Sequence, residues 1–296
     1  MSWLKKWLHN RGLLNRKQSS GVGTDIGRHR LAPCILCEVD VGREQLQRLF
    51  DYVVADWTTL GEIEPYWSVR THERFRKASI AKHKSEFYRS GTLAEQFISA
   101  FFARNEAMLN TNGTCLELGC GIGRVTATLA KMFNRVIAMD VSPSHLTKAR
   151  EALADLELRN VDLWQLHSVS DIEALPKFDL LFSQITLQHN PPPVIALLLE
   201  QAFVRLERGG YCLFQVPTYQ NGYRFLLSDY LQHRHNERNR TRLDPHEYME
   251  MHILPQRVIY RLMREAGIEL LEVVEDGDCG DVSFQSVTFF GRKPAQ

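Results

Sequence analysis

The spacing of apolar positions along the 296-residue chain changes character at about residue 110. Before that point apolar residues recur at intervals of three and four. Leu46, Leu49, Phe50 and Val53 mark one amphipathic helix over 44–54, and Leu93, Phe97, Phe101 and Met108 mark another over 92–109. The segment 57–69 between them is aromatic and turn-rich, suited either to folding over the mouth of a site or to packing between helices. From 114 onward short apolar runs alternate with helical spacing. The runs 114–118, 135–139, 161–166, 178–184 and 209–216 predict strands, and 123–133, 143–156 and 193–207 predict helices. This alternation predicts an open parallel sheet covered on both faces. The pattern lapses over 217–255, an insertion rich in Tyr, His and Arg with no clear strand. It resumes with a helix over 255–266, closed by Gly267, and strands over 269–275 and 283–290. The link between these strands is too short for a helical crossover, which makes them antiparallel neighbours.

The chemistry concentrates at the end of the first predicted strand. Glu117 is followed by Gly119, Gly121 and Gly123 at alternate positions, with Cys120 inside the turn, and a helix-compatible stretch begins immediately after. Glycine suits a turn this sharp, where a ligand must approach the backbone closely. The turn leaves amide N–H groups free beside the ligand. The spacing is G-x-G-x-G, whereas the nicotinamide and flavin fingerprint is G-x-G-x-x-G. The second strand ends at Asp140, 21 residues after Gly119, where doubly wound folds hold ribose hydroxyls on a carboxylate. Val141 follows, then Ser142 as a helix N-cap and Pro143 at the first helical position.

With Glu117, the three glycines and Asp140 in register, the region 110–292 resembles the class I S-adenosylmethionine-dependent methyltransferases, whose first motif is acid-x-G-x-G-x-G. The resemblance implies an α/β fold, a doubly wound, mostly parallel seven-stranded sheet (Rossmann-like), here behind a helical N-terminal extension. It implies S-adenosyl-L-methionine as cofactor, with the glycine loop passing under it and Glu117 near its amino-acid end. By the same resemblance Asp171 is placed near the adenine amino group. The stretch from Gln184 to His189 then lines the groove under the methionine portion and faces the substrate. The cofactor-binding set expected is therefore Glu117, Gly119, Cys120, Gly121, Gly123, Asp140, Val141, Asp171 and Gln184.

Methyl transfer from a sulfonium is an in-line displacement in which the protein aligns the acceptor, excludes water and, where needed, removes a proton. His189, past a strand end, is the first candidate for that proton, with capping of the following loop as its ordinary alternative. His252 and Glu250, inside the insertion, are the next. Asn190-Pro191-Pro192 resembles the Asn-Pro-Pro-aromatic signature of base and glutamine amino-methylases. It lies about six residues too late, however, and Pro193 has no aromatic face for a flipped base. The run 233–242 carries four arginines and two histidines, suited to an anionic group or to solvent exposure. Tyr219, Tyr223 and Phe225 are candidates for an aromatic acceptor wall.

Composition narrows the partners. A net charge of +1 gives no global field for nucleic acid or an anionic membrane. Hydrophobic residues at 44% suffice for a sizeable core. Six cysteines, two of them in predicted buried strands, point to reduced, cytoplasmic usage, and the lone pair Cys34-x-x-Cys37 lacks the second pair of a metal site. No apolar run reaches the length of a membrane span. Trp3, Leu4, Trp7 and Leu8 share one helical face with Lys5, Lys6 and Arg11 close by, so residues 3–11 can dock on a partner or lie on a membrane surface. The expected organisation is a flexible segment over 1–30, a helical extension or lid over 31–110, and a cofactor-binding domain over 111–296 with the insertion near the substrate site.

The expected activity is transfer of a methyl group to a small-molecule acceptor without nucleic acid. Leu187-Gln188-His189 and Phe214-Gln215-Val216-Pro217 resemble methyltransferases of bacterial glycan and secondary-metabolite pathways, which implies O-methylation of a sugar, lipid-linked glycan or secondary metabolite. The alternatives are N-methylation of protein or RNA, and a cofactor-binding protein without catalysis.

Overall fold

The computed structural model describes residues 35–237, 244–277 and 279–295. The segment 3–11 and Cys34 lie outside them. The elements run β1 (Leu36–Cys37), α1 (Arg43–Ile63), α2 (Pro65–Val69), α3 (Lys84–Arg89), α4 (Leu93–Arg104), β2 (Thr114–Leu118), α5 (Thr126–Met132), β3 (Arg135–Asp140), α6 (Pro143–Asp155) and β4 (Val161–Gln165). After these come α7 (Val169–Glu173), β5 (Phe178–Ser183), α8 (Pro192–Arg205), β6 (Leu206–Gln220), β7 (Arg224–Phe225), α9 (Leu227–Glu237), α10 (Gln256–Glu265), β8 (Glu269–Asp276) and β9 (Phe284–Arg292).

Seven strands form one sheet in the order β4-β3-β2-β5-β6-β9-β8, and β9 alone runs opposite to the other six. Period-two alternation divides β2 between two cores. Cys115 faces Val136, Leu180, Phe290 and helix α4, while Leu116 and Leu118 face Ile137, Leu181, Phe214 and helices α8 and α10. Each fully buried apolar side chain of this kind contributes about 1.5–3 kcal/mol relative to exposure. The chain order reverses between β2 and β5, so the carboxyl ends of β2 and β3 open a crevice at the switch point.

Three elements differ from the expected pattern. Helix α1 does not stop near 54 but continues to Ile63, carrying Asp56 and Trp57 toward the crevice. Thr58, Thr59 and Gly61 read locally as a turn. Glycine inside a helix costs about 1 kcal/mol, yet here a Cβ on Gly61 would collide with the Ser142 hydroxyl, so its absence lets α1 lie against the start of α6. Helix α4 ends at Arg104, short of 109, where the Asn105 side chain caps the Phe101 carbonyl at 2.9 Å. The insertion is more regular than its composition suggests. Strand β6 extends to Gln220, β7 pairs in parallel with β1, and α9 is a helix of 11 residues. Among the described residues no helix is long and apolar enough to cross a membrane.

Candidate functional site

The crevice at the ends of β2, β3 and β5 holds a cavity of about 460 Å³, within the roughly 300–1,000 Å³ usual for small-molecule and cofactor sites. Its floor is the glycine turn. Gly119, Gly121 and Gly123 all have positive φ, at 76°, 54° and 79°. A Cβ on Gly119 would strike Thr186, and one on Gly121 would come within 2.8 Å of Val69. The turn is thus bare because chain crosses above it. Gly123 serves the turn itself and packs on Ala149 without lining the cavity.

Asp140 fastens this floor to the next strand. Its Oδ2 accepts from the Gly121 amide at 2.8 Å and its Oδ1 from the Ser142 amide at 2.9 Å. His145 Nδ1 lies 3.6 Å from Oδ1, and its Nε2 meets Ser68 Oγ at 2.9 Å. Burial pushes the Asp140 carboxyl up, but His145 and the two amides outweigh it and hold the group below its ordinary value. The carboxylate stays ionised, with lone pairs left over for hydroxyl donors. Glu117 contrasts with it. Burial dominates there and pushes the carboxyl up to about 7, against the Thr126 hydroxyl, which donates to Oε2 at 2.6 Å, and against the Arg124 charge. Burial likewise pushes the Cys120 thiol well up, so it lines the cavity as a neutral group.

Among the expected cofactor residues, Glu117, Gly119, Cys120, Gly121, Asp140, Val141 and Gln184 line the cavity. Asp171 does not. Its Oδ2 accepts from the His167 and Ser168 amides at 2.8 Å each, closing a capping box at the start of α7. An acid three residues into a short helix carries that local signal as strongly as a ligand signal.

His189 lines the cavity from the far side. Its Nδ1 lies 3.0 Å from the Glu250 carbonyl oxygen, its ring meets Trp57 edge-on at 5.1 Å, and Gln188 Nε2 lies 3.4 Å from its Nε2. Burial, only partly opposed by the Glu250 carbonyl and reinforced by nearby His252, lowers its pKa to about 4. It is therefore neutral at ordinary pH. The other two proton-transfer candidates stand behind the wall. The Glu250 carboxylate is taken by Arg234 (2.9 Å), Tyr230 (2.7 Å) and His252 (3.1 Å), and His252 Nδ1 by the Tyr223 hydroxyl (2.9 Å). Tyr219, Tyr223 and Phe225 are absent from the cavity lining. Arg234, from the basic run, is buried against Asp56 at 2.7 Å, and the part of that run over 238–242 lies outside the described residues.

Trp57, Ser68 and Val69 come from the aromatic segment 57–69, which was suited either to covering the site or to packing between helices, whereas Arg70 beside it and Met249 and Met251 of the insertion carried no local signal. Two arginines, Arg70 and Arg124, form a cationic corner beside the glycine turn. Burial, with Arg70 adding to it, lowers Arg124 to about 10, and its buried Nε has no hydrogen-bond partner among the described residues. Ile185, next to Gln184, is held at φ 55° with its amide on Gln215 Oε1 at 2.8 Å, a strained backbone of the kind functional sites store.

The cavity, the bare glycine floor and the ionised Asp140 fit an adenosyl cofactor, and the similarities agree. Residues 115–210 match a family model described as Methyltransferase domain. A trans-aconitate 2-methyltransferase from Azoarcus sp. (strain BH72) is 32% identical over 111 residues, covering 37% of this chain and 41% of that protein. A second, from Deinococcus radiodurans, is 36% identical over 108 residues, covering 35% and 37%. The chain thus spans about two fifths of the length of these curated relatives. Among solved structures, a provisionally named sarcosine dimethylglycine methyltransferase from Galdieria sulphuraria superposes with a TM-score of 0.50 at 13% identity, over 72% of this chain and 88% of that one, which is a likeness of fold. By its matched segment, its seven-stranded sheet and its acid-glycine-acid site, this chain carries a methyltransferase domain of the class I, S-adenosylmethionine-dependent type.

Proposed function

We propose that the protein transfers a methyl group from S-adenosylmethionine to an oxygen atom of a small-molecule acceptor. The observation that carries this reading is the continuity of one cavity from the Asp140–Gly121 floor to His189. Bound there, the cofactor supplies a methyl group already activated by its sulfonium charge. Asp140 would accept hydrogen bonds from the ribose hydroxyls, and Glu117 with the cationic corner of Arg70 and Arg124 would hold the amino-acid end. Trp57, Met249 and Met251 close the acceptor side against water and present an apolar surface. His189, neutral and with a long 3.4 Å contact to the Gln188 amide at Nε2, would take the proton of the acceptor hydroxyl that receives the methyl group.

A hydroxyl of a sugar, lipid-linked glycan or secondary metabolite is the acceptor favoured by the presence of this base. A carboxylate acceptor is the second reading. It needs no base, Arg70 and Arg124 would hold it, and the two relatives named for trans-aconitate point the same way. The test is transfer of a labelled methyl group into a panel of glycosides, polycarboxylates and RNA. Label in a glycoside or a carboxylate ester supports the proposal and chooses between its readings, whereas label in RNA alone refutes it.

A further inference from the structure

Glu250, His252 and Arg234 play no part on the cavity surface, yet they form the most heavily bonded polar cluster behind it. Arg234, on α9 and 6% exposed, bridges Asp56 of α1 at 2.7 Å and Glu250 at 2.9 Å. Its guanidinium also lies over the Tyr52 ring at 4.5 Å. Glu250 binds Tyr230 and His252 through its second oxygen, at 2.7 and 3.1 Å, and His252 continues to Tyr223 at 2.9 Å. A guanidinium and a carboxylate this deeply buried, Arg234 and Asp56, are stable only while paired, and half-buried Glu250 is held by the same guanidinium. The cluster is therefore rigid as a unit.

Each arm of the cluster reaches the same imidazole. The residue after Asp56 is Trp57, whose ring meets His189 at 5.1 Å. The backbone carbonyl of Glu250 lies 3.0 Å from His189 Nδ1. The His252 amide donates to the Gln188 carbonyl at 2.7 Å, pinning the turn that carries His189. A carbonyl only accepts, so the Nδ1 contact requires a proton on Nδ1 and leaves the lone pair on Nε2. Free imidazole carries no such constraint.

From this convergence we propose that Arg234, Glu250, Asp56 and His252 are positioning residues, which hold His189 as the Nδ1–H tautomer with Nε2 an acceptor at the cavity wall, where the Gln188 side-chain amide approaches it at 3.4 Å. The clustered carboxylate thus acts through its own main chain and not by taking a proton itself. The consequence for catalysis rests on the methyl-transfer reading of the cavity, but the tautomer does not.

The test uses the full chain labelled with ¹⁵N-histidine, with long-range ¹H–¹⁵N correlations recorded at neutral pH and the His189 signals identified by their loss in His189→Gln. The wild type is expected to show a protonated Nδ1 and a bare Nε2 at His189. Glu250→Gln, which keeps the shape but frees the Arg234 anchor, is expected to move the tautomer ratio toward Nε2–H by about tenfold, the scale of one hydrogen bond. An Nε2–H tautomer in the wild type overturns the proposal. An unchanged ratio in a folded Glu250→Gln overturns it as well. Should that variant not fold, Tyr230→Phe, which removes one hydroxyl from Glu250, takes its place with the same expected direction and the same overturning result. Cofactor titration of the same samples separates the two readings, since absent binding counts against the methyltransferase reading and leaves the tautomer result standing.

Discussion

The two halves of the cavity are built by different means. On the cofactor side, everything from Glu117 to His145 lies within 29 residues of chain, and backbone amides do much of the holding, as Gly121 and Ser142 do for Asp140. On the acceptor side, His189 is fixed by Trp57 and the Glu250 carbonyl, and those are fixed by Arg234. One half rests on a short turn whose geometry its own residues dictate. The other rests on side chains brought together only by the finished fold. The first can be carried from one protein to another as a cassette, while the second can change with the acceptor.

The largest effect expected from breaking this contrast is at Arg234. Arg234→Ala takes the Arg234 charge away from buried Asp56 and half-buried Glu250, a loss of about 3 kcal/mol, the lower end for a broken buried pair. Thermal or urea unfolding would detect it, and an early transition with cofactor affinity preserved in the remaining structure would show the halves to be separable. Next is His189→Gln. It is expected to lower the rate by roughly a hundredfold, the lower end for a general base, with cofactor affinity unchanged. Equal loss of affinity and rate would place His189 in the cofactor half instead.

The difference between the halves also explains how much was legible in the sequence. The seven strands and the glycine turn were legible because each depends on neighbours within a few residues: apolar runs, alternating glycines, and an acid at a strand end. Asp140 and Ser142 stand where spacing placed them, Asp140 on the cavity and Ser142 as the cap of α6. The helix that carries Trp57 was hidden because Gly61 and the threonines before it mimic a turn, and only the approach of Ser142 explains the glycine. The Arg234 cluster was hidden because its members at 56, 230, 234, 250 and 252 share no periodicity. An arginine-rich run looks solvated until a buried carboxylate faces it.

Glu117→Gln gives a smaller effect, with a sign that pH reveals. The folded carboxyl sits near 7 against an ordinary 4.5. Between these values the folded state holds a proton that the unfolded state has released, so this contribution to stability is complete below about 4.5 and is lost as pH rises through 7. Glutamine removes that loss. The variant should melt higher than wild type at pH 8 and alike at pH 4, while binding cofactor more weakly because the carboxylate beside the amino-acid end is gone. A lower melting point at pH 8 would contradict the burial argument. The smallest effect is expected at Asp171→Ala, about 1 kcal/mol from the lost cap, with cofactor affinity within about twofold of wild type. A tenfold loss of affinity would show that Asp171 reaches the adenine after all.

The most direct measurement is calorimetric titration of wild type and Asp140→Ala with S-adenosylhomocysteine, with NADH as the competing cofactor. Asp140 is expected to supply two charge-assisted hydrogen bonds to the ribose at roughly 1.5–3 kcal/mol each, besides holding the glycine turn. Binding to the wild type that weakens about a hundredfold or more in the variant is the predicted result. Equal affinity in both proteins, or binding of NADH in place of S-adenosylhomocysteine, would contradict the account.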